Sequence, residues 1–410
     1  MNKPFYQSWF GRLAIGLLSF FFAFKLSAAP SPATLIGFAS LAADSYAPGS
    51  DAGAKISANG RTGPFKGQPV QGFSAVQFAD RASFWFLTDN GFGSKDNSAD
   101  FFPRLYRAAP SFRGQGGDGT VKIISLVQFS DPDRKIPFRL TRSAASGTRE
   151  RDRTLTGADF DPESFVIAKD RSFWIGDEFG PYLLHFDRDG KLLQTPIELP
   201  NLQGGFVRSP QNPNNKANLA SSRGFESMAT NPDRTIFYLM LEGTVKGDPE
   251  GFLRIYKANA TTGEFQGIVG YYKLEDPNNA TGDMSVINEN EYLVIERDNK
   301  QGDEARFKKI YKINLTKQAQ DRTIEKQEIV DLLNIQDPSD LNRDEKSQFR
   351  FPFQTIEDVL VINANTLLVA NDNNYPFSIA RPPGIDNTEI ILLKLPRSLN
   401  LDSRIGSPNR

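Results

Sequence analysis

Five segments of this chain repeat one pattern: an acidic or serine residue, a short apolar strand, a polar turn, a second apolar strand and an acidic cluster. Repeats of this size are typical of the blades of a β-propeller, because each blade is one small sheet that buries its faces against its neighbours. We therefore predict an all-β fold. The five segments are FSAVQFADRASFWFLTDNG (73–91), ESFVIAKDRSFWIGDEFG (163–180), ESMATNPDRTIFYLMLEG (226–243), DMSVINENEYLVIERDN (283–299) and EDVLVINANTLLVANDN (357–373).

Each repeat can be extended to the four strands that a propeller blade contains. The fifth repeat has a third strand, TEIILLKL (388–395), but only a short tail after it, while ATLIGFASLA (33–42) has no blade of its own. Pairing these two segments would close the ring and remove exposed strand edges. We predict five blades closed by the N-terminal strand. A sixth blade would require weak strands hidden in a long insertion, and a generic sandwich is the alternative fold.

The first 29 residues read as a signal peptide. Lys3 and Arg12 precede or flank the apolar run LAIGLLSFFFAF (13–24), and small residues end with Ala29. This order of basic, apolar and small residues is typical of secretory leaders, and the run is shorter than a membrane span needs. We expect an exported protein, periplasmic or extracellular, without a stable membrane span after cleavage. A propeller domain would cover 34–396 and a tail 397–410.

Composition limits the chemistry. A formal net charge of -1 leaves no global basic field for nucleic acid, so we expect no nucleic-acid partner. The chain has no cysteine and a single histidine, His185, which excludes thiolate nucleophiles and Cys- or His-rich zinc sites. Carboxylates remain as the main reactive and metal-binding groups.

The acidic residues of the repeats are expected to converge. The first strand of a blade lines the central channel and the second is antiparallel to it, so the start of one and the end of the other share one mouth. Such carboxylates repel one another unless a cation is bound, and calcium accepts many oxygen ligands with loose geometry. The alternative is that they cap turns or pair with lysines. The predicted calcium ligands are Asp89, Glu163, Asp177, Glu226, Asp283, Glu357 and Asp372, within a wider set that also contains Ser74, Glu178, Glu242, Glu296 and Asp298.

Arginines and asparagines accompany these acids. A guanidinium group binds phosphate oxygens in a bidentate manner, so metal and arginine together favour a phosphorylated small-molecule substrate. Because no histidine is placed for the task, a carboxylate is expected to accept the proton of a water activated by calcium. For Arg297, bridging two acids is an equally good interpretation. The predicted catalytic residues are Glu178, Glu296, Arg223 and Arg297, and the predicted substrate-binding residues are Arg104, Arg107, Asn90 and Asn373.

Over residues 34–396 the chain resembles the family with esterase-like activity of phytase, also called the phytase-like domain. The resemblance implies a β-propeller with recurrent acids on one face and hydrolysis of phosphoric esters. Phe73 and Met284 depart from the glutamate of the other repeats if the following serines are aligned, which favours one asymmetric metal ion. The segments that carry the resemblance are DNGFGSKDN (89–97) with Arg104, FDPESF (160–165), IGDEFGP (175–181), RGFESM (223–228) and IEDVLV (356–361).

Three functions remain open. The first is an exported, calcium-dependent hydrolase of phosphoric esters. The second is a calcium-dependent lactonase or arylesterase, since propeller esterases also polarise a carbonyl with calcium. The third is a non-catalytic, calcium-stabilised propeller that presents its long loops to a partner. The sequence leaves the substrate, the number of ions and the oligomeric state undetermined.

Overall fold

The computed structural model describes residues 1, 31–141, 153–214 and 216–406, so the predicted signal peptide beyond Met1 lies outside the described residues. Hydrophobic residues fill both faces of the inner strands, which are buried between neighbouring blades. The strands before the first blade are β1 (Thr34–Leu41), β2 (Tyr46–Ala47), β3 (Ser57–Ala58), β4 (Arg61–Thr62) and β5 (Gln68–Pro69).

The repeats form the blades. The first blade contains β6 (Phe73–Phe78), β7 (Phe84–Thr88), β8 (Arg104–Pro110) and β9 (Val121–Gln128). The second contains β10 (Pro162–Ile167), β11 (Phe173–Asp177), β12 (Tyr182–Phe186) and β13 (Ile197–Glu198). The third contains β14 (Phe225–Thr230), β15 (Ile236–Leu241), β16 (Phe252–Asn259) and β17 (Phe265–Lys273). The fourth contains β18 (Ala280–Val286), β19 (Glu291–Arg297), β20 (Lys308–Gln318) and β21 (Ile324–Asp331), with a 3-10 turn at Gly302–Glu304 between β19 and β20.

The fifth blade is closed by the N-terminal strand, as predicted. After the short strands β22 (Ile335–Gln336) and β23 (Gln348–Phe349) come β24 (Thr355–Asn363), β25 (Thr366–Asp372) and β26 (Thr388–Lys394). Strand β1 pairs antiparallel with β26, from Thr34 opposite Lys394 to Leu41 opposite Thr388, and the sheet order is β23-β22-β1-β26-β25-β24. Within the described residues the insertions add only two-residue strands, so the propeller has five blades and no sixth.

The core lies between the blades. Five clusters of buried apolar side chains each join two adjacent blades, for example Trp174 of the second blade with Leu239 and Tyr256 of the third. A sixth cluster packs the loop before β6 against Phe92, Phe101 and Tyr375. Burial of one large apolar side chain stabilises a fold by about 1.5–3 kcal/mol, so these seams hold the blades in a fixed ring without disulfides.

A bulge interrupts every inner strand at the same level. In β10, Pro162 is opposite Asp177 and Ser164 is opposite Gly176, so Glu163 is the extra residue. A β-bulge turns the extra side chain away from the regular alternation of the strand. The equivalent extra residues of the other blades are Ser74, Glu226, Gly282 and Glu357.

The two ends of the channel differ. The turns between the first and second strands of each blade form what we call the lower face, and the bulges lie toward the opposite, upper face. The chain after β26 crosses the lower face, where the Leu399 N–H donates to the Ala364 carbonyl at 2.7 Å and the Asp402 N–H to the Ile287 carbonyl at 3.0 Å. The described part of the predicted tail is therefore packed against the propeller. No helix among residues 31–141, 153–214 and 216–406 has the length and apolar character to span a bilayer.

Candidate functional site

A pocket of about 310 Å³ opens at the upper end of the channel. Eight carboxylates line it, together with only two guanidinium groups. Such a surplus of negative charge in one cavity is costly without a bound cation. The carboxylates are Asp89, Asp161, Glu163, Glu178, Glu226, Glu242, Glu357 and Asp372, and the arginines are Arg223 and Arg297.

Two equivalent positions in each blade supply most of these side chains. One is the bulge residue of the inner strand. The other lies at the end of the second strand. In the second blade, Asp177 pairs with Pro162, the residue just before the bulge, and the next residue, Glu178, lines the pocket. The second positions of the five blades are Asp89, Glu178, Glu242, Arg297 and Asp372.

The ring of side chains around the pocket does not have fivefold symmetry. The first blade has Ser74 at the bulge, which donates to Glu357 at 3.5 Å. The fourth blade has Gly282 at the bulge and Arg297 at the second position, so it contributes a cation and no acid. A Cβ on Gly282 would lie 2.5 Å from the Ile356 carbonyl oxygen, which leaves no room for a side chain there. The negative charge is therefore concentrated on the other blades.

Two groups of three carboxylates come close enough to share one ion. Each residue offers one oxygen, and the three oxygens of a group lie within 4.8 Å of one another. Glu178 belongs to both groups, and its Oε1 is buried without a hydrogen-bond partner among the described residues. The groups are Asp161, Glu163 and Glu178, and Glu178, Glu226 and Glu242.

Burial and mutual repulsion raise the pKa values of these acids. The pKa of Glu178 is raised well above its ordinary value, first by burial and then by Glu242 and Asp161. Burial also raises the pKa of Asp161 to about 7, although hydrogen bonds from Glu163 and Asn90 oppose the shift. The pKa of Asp372 rises to about 7 through burial and then Glu357. In the absence of a cation, the pocket therefore holds protons at neutral pH.

The two arginines are bound to the acids of the pocket. Arg223 donates to Glu242, and its side chain is 40% exposed. Arg297 is 6% exposed, and its Nη2 lies 2.8 Å from Glu357 Oε1 and 3.9 Å from Glu242 Oε1. The interpretation of Arg297 as a bridge between two acids is thus the one that the geometry supports, while Arg223 keeps an accessible edge.

Most of the predicted site residues meet in this pocket, and Asp161 joins them as an acid that the sequence analysis did not single out. Asp161 accepts hydrogen bonds from the backbone N–H and the side-chain amide of Asn90, both at 3.1 Å. Its only signal in the sequence was its place in FDPESF, two residues before Glu163. The predicted residues that line the pocket are Asp89, Asn90, Glu163, Glu178, Arg223, Glu226, Arg297, Glu357 and Asp372.

Asp177 and Asp283, both predicted as metal ligands, lie beneath the pocket. Asp177 accepts from the Asp161 N–H at 2.8 Å and the Gly180 N–H at 2.6 Å, and so holds the loop that carries Asp161. Asp283 follows the bulge of β18 and accepts from the Val359 N–H of the next blade at 3.3 Å. The strand register turns both side chains away from the cavity.

Glu296, predicted as a catalytic base, also lies outside the pocket because it is the register equivalent of Asp177. It is fully buried and accepts from Tyr272 Oη at 2.8 Å, from the Glu275 N–H at 2.7 Å and from Lys326 Nζ at 2.8 Å. These bonds engage both of its oxygens. Its surroundings are those of a buried structural ion pair.

Replacing Glu296 by glutamine is expected to lower the stability of the fold and to leave catalysis by the pocket intact. Removal of one partner from a buried ion pair costs about 3–5 kcal/mol, because the other charge remains buried. Chemical denaturation compared with initial rates would measure both effects. The double variant with Lys326→Met should recover part of the stability. A variant of unchanged stability that had lost turnover would instead return Glu296 to a catalytic role.

Arg104 and Arg107, predicted to bind substrate, do not line the pocket. Arg104 is buried, with its Nε 2.6 Å from Gln128 Oε1 and its Nη1 3.0 Å from the Pro48 carbonyl. Arg107 lies toward the lower end of its strand and pairs with Asp80 of the turn between β6 and β7. Both hold parts of the first blade together.

Asn373 and His185 are likewise turned into the protein. The amide of Asn373 donates to the Asp386 carbonyl at 3.1 Å. His185 Nε2 lies 2.8 Å from Ser172 Oγ, and its ring stacks on Trp174 with centroids 3.9 Å apart. Neither residue lines the pocket.

Comparisons with known proteins agree with the resemblance seen in the sequence. The model of the family described as Phytase-like, esterase-like activity of phytase, matches residues 68–375. A protein of Arthroderma benhamiae named "Uncharacterized secreted protein" is 24% identical, and the match covers 36% of this chain and 36% of that protein.

Several solved structures also align with this chain. A luciferin-regenerating enzyme aligns with a TM-score of 0.40 and 11% identity over 82% of this chain and 97% of that one. The exo-β-1,3-galactanase of Phanerochaete chrysosporium aligns with a TM-score of 0.43 and 12% identity over 88% of this chain and 68% of that one. Neither likeness is high enough to bear on the activity of this chain.

Proposed function

Because the chain belongs to the Phytase-like family, esterase-like activity of phytase, we propose that it is an exported, calcium-dependent hydrolase of phosphoric esters. The observation that carries the proposal is the single upper pocket in which eight carboxylates surround two arginines. The secreted relative and the signal-peptide pattern of residues 1–29 support export. Periplasmic and extracellular locations both fit.

The donor set of the pocket fits calcium. All of its candidate ligands are oxygens, which hard cations prefer, and the described residues place no sulfur or imidazole there. The buried, unpartnered Glu178 Oε1 is the kind of group that a cation would satisfy. Asp161, Glu163, Glu178, Glu226 and Glu242 would hold the ion. When bound, it would offset the negative charge and polarise a phosphoryl oxygen or a water molecule.

Two residues of the chain are assigned to substrate chemistry. Arg223 has an exposed edge at the rim and would bind a phosphate oxygen, an interaction that guanidinium groups make in bidentate form. Glu178, which belongs to both carboxylate groups, would accept the proton of the attacking water through the oxygen that does not bind the ion. Asn90 and Asp177 fix the loop of Asp161 beside them.

Hydrolysis of carboxylic esters, including lactones, is the second candidate. Arg297 is bound to Glu357 and is nearly buried, so the pocket offers one accessible guanidinium group and not two. A carboxylic ester needs polarisation of one carbonyl oxygen and no phosphate clamp. The same carboxylates would serve that reaction.

The protein purified from the exported fraction should be assayed with a phosphomonoester, a phosphodiester and a carboxylic ester, with calcium and with chelator. We expect calcium-dependent turnover of a phosphoric ester, lost in Glu226→Gln and retained in Glu296→Gln. Turnover of the carboxylic ester alone would replace the proposal with the second candidate. A folded protein that binds calcium and turns over none of the three would favour a binding propeller.

A further inference from the structure

A second cavity lies on the lower face, at the far end of the channel from the acidic pocket. Its volume is about 670 Å³, within the range of small-molecule sites. The walls come from the first and second blades, from the turn at Arg234 of the third and from residues 403–406 of the C-terminal segment. None of the residues that line the acidic pocket contributes to it.

Four arginines line this cavity; Arg404 pairs with Asp233 and Asp402, and the other three form no ion pair with a described residue. The guanidinium groups of Arg171, Arg188 and Arg234 make no hydrogen bond or ion pair with any residue that the structure describes. The acids next to them in sequence are engaged elsewhere: Asp170 accepts from Ser172, and Asp233 pairs with Arg404 at 2.6 Å. Asp189 also lines the cavity but forms no ion pair with them.

Two of the three unpaired arginines lie at equivalent turn positions of the repeat. Arg171 and Arg234 occupy the same position of the turn between first and second strands, and both have positive φ, 69° and 52°. Left-handed backbone is unfavourable for arginine, and glycine or asparagine would adopt it more readily. The fold thus places two long cationic side chains at turn positions where local backbone preference does not call for them.

Aromatic rings form the apolar wall. Trp85, Phe78 and Phe173 line the cavity, and the rings of Trp85 and Phe173 meet edge to face with centroids 6.4 Å apart. Trp85 is partly exposed, in contrast to Trp174, which is fully buried. A planar apolar group would pack on these rings while the guanidinium groups bind an anion beside it.

We propose that the lower cavity is a binding site for a small aromatic anion, an arylsulfonate, aryl phosphate or aryl carboxylate. The aromatic wall takes the ring, and Arg171, Arg188 and Arg234 bind the anionic group. An inorganic anion leaves the wall uncovered, and a neutral aromatic leaves the guanidinium groups unpaired, so each alone binds more weakly. The site is separate from the acidic pocket and does not depend on the function proposed for it.

The test uses 4-nitrobenzenesulfonate, which is anionic at all working pH values and, as a nitroaromatic compound, quenches indole fluorescence. It is titrated into the exported protein, with binding followed by tryptophan emission and by calorimetry. We expect saturable quenching, absent in Trp85→Phe although calorimetric binding persists there in weakened form. Nitrobenzene and methanesulfonate, which carry the two halves of the ligand, should each bind at least about tenfold more weakly.

The double variant Arg171→Gln/Arg234→Gln removes two of the binding charges and should weaken affinity by about tenfold or more. Arg81→Gln is the matched control, because Arg81 occupies the same turn of the first blade, is exposed and does not line the cavity. It should leave the affinity unchanged, as should Glu226→Gln in the other pocket. Thermal melting verifies that the variants are folded.

Several results would overturn the proposal. They are an absence of saturable binding, equal affinity for nitrobenzene, equal loss in Arg81→Gln and in the double variant, or loss of binding in Glu226→Gln. The last would assign the ligand to the acidic pocket. The proposal for the lower cavity would be supported if affinity fell with rising salt in the parent protein and much less in the double variant, since salt screening weakens partly exposed charge pairs.

Discussion

Replacing Glu178 by glutamine should reduce kcat by about 10²–10⁴-fold, the range that general-base catalysis contributes. Glu178 belongs to both carboxylate groups of the pocket, and its buried Oε1 lacks a partner among the described residues. Glutamine keeps the shape of the side chain but cannot accept a proton at neutral pH or carry charge to a cation. The loss should therefore appear in kcat and in calcium affinity together.

Steady-state kinetics over a range of calcium concentrations would measure this effect. If saturating calcium restored the rate of Glu178→Gln, the residue would be a metal ligand alone and another group would act as base. Glu250→Gln, at an exposed position outside the pocket, is the matched control and should behave as the parent protein. Unchanged kcat and unchanged calcium affinity in Glu178→Gln would contradict the assignment of the pocket as the active site.

The second large effect is a pH-dependent requirement for calcium. Burial raises the pKa of Asp161 from 3.8 to about 7, and burial raises the pKa values of Glu163, Glu178 and Glu226 in the same direction. When an acid has a higher pKa in the folded state than in the unfolded state, the free energy of unfolding of the protein falls as pH rises from the lower pKa to the higher one. For a shift from 3.8 to about 7, one such group lowers the free energy of unfolding by on the order of 4 kcal/mol over that pH range.

Without calcium, the protein should therefore be less stable at pH 8 than at pH 5. At pH 8, calcium should raise the melting temperature by on the order of 10 °C, and at pH 5 by little, because protonated carboxyl groups bind calcium weakly. Scanning calorimetry with calcium and with chelator at both pH values would measure this. Magnesium is the control cation. A chelated protein equally stable at both pH values would contradict a carboxylate pocket that needs a cation.

Much of the fold follows from local sequence. Apolar strands, tight polar turns and the missing fourth strand of the last repeat are enough to predict five blades and closure by the N-terminal strand. Alternation along single strands and the need to cover edges are both visible in one chain without knowledge of its contacts. The convergence of the acids also follows, because it depends only on strand direction.

The register of the fourth blade does not follow from the sequence. DMSVI resembles ESFVI, so Asp283 was aligned with Glu163 and Glu296 with the pocket acids of other blades. In the structure Gly282 is the extra residue of the bulge, and a shift of one residue turns a side chain to the opposite face. The position of a bulge depends on packing against the next blade, where Ile356 leaves no space beyond Gly282.

Asp161, a pocket residue from an insertion, is not predicted by the sequence for a different reason. Asp161 and Arg223 stand at the ends of the insertions over 130–162 and 203–224, and both line the pocket. Arg223 was selected because it directly precedes a repeat, whereas Asp161 was read as part of a loop. Side chains in long connections are placed by tertiary contacts such as the bond from the Asp161 N–H to Asp177, and periodicity carries no information about these.

Closure of the ring by β1 and β26 sets an order for folding. Thr34 pairs with Lys394, so the first strand lacks its ladder partner β26 until nearly the whole chain is available, although isolated bridges join Phe38 to Arg113 and Ser40 to Thr120. Contacts between segments so distant in sequence form late, because a long loop must close before they contribute any stability. The nascent chain should therefore remain an open array of blades until its final strand arrives. Under the export proposed above, this delay would let the chain cross the membrane before the ring of blades closes.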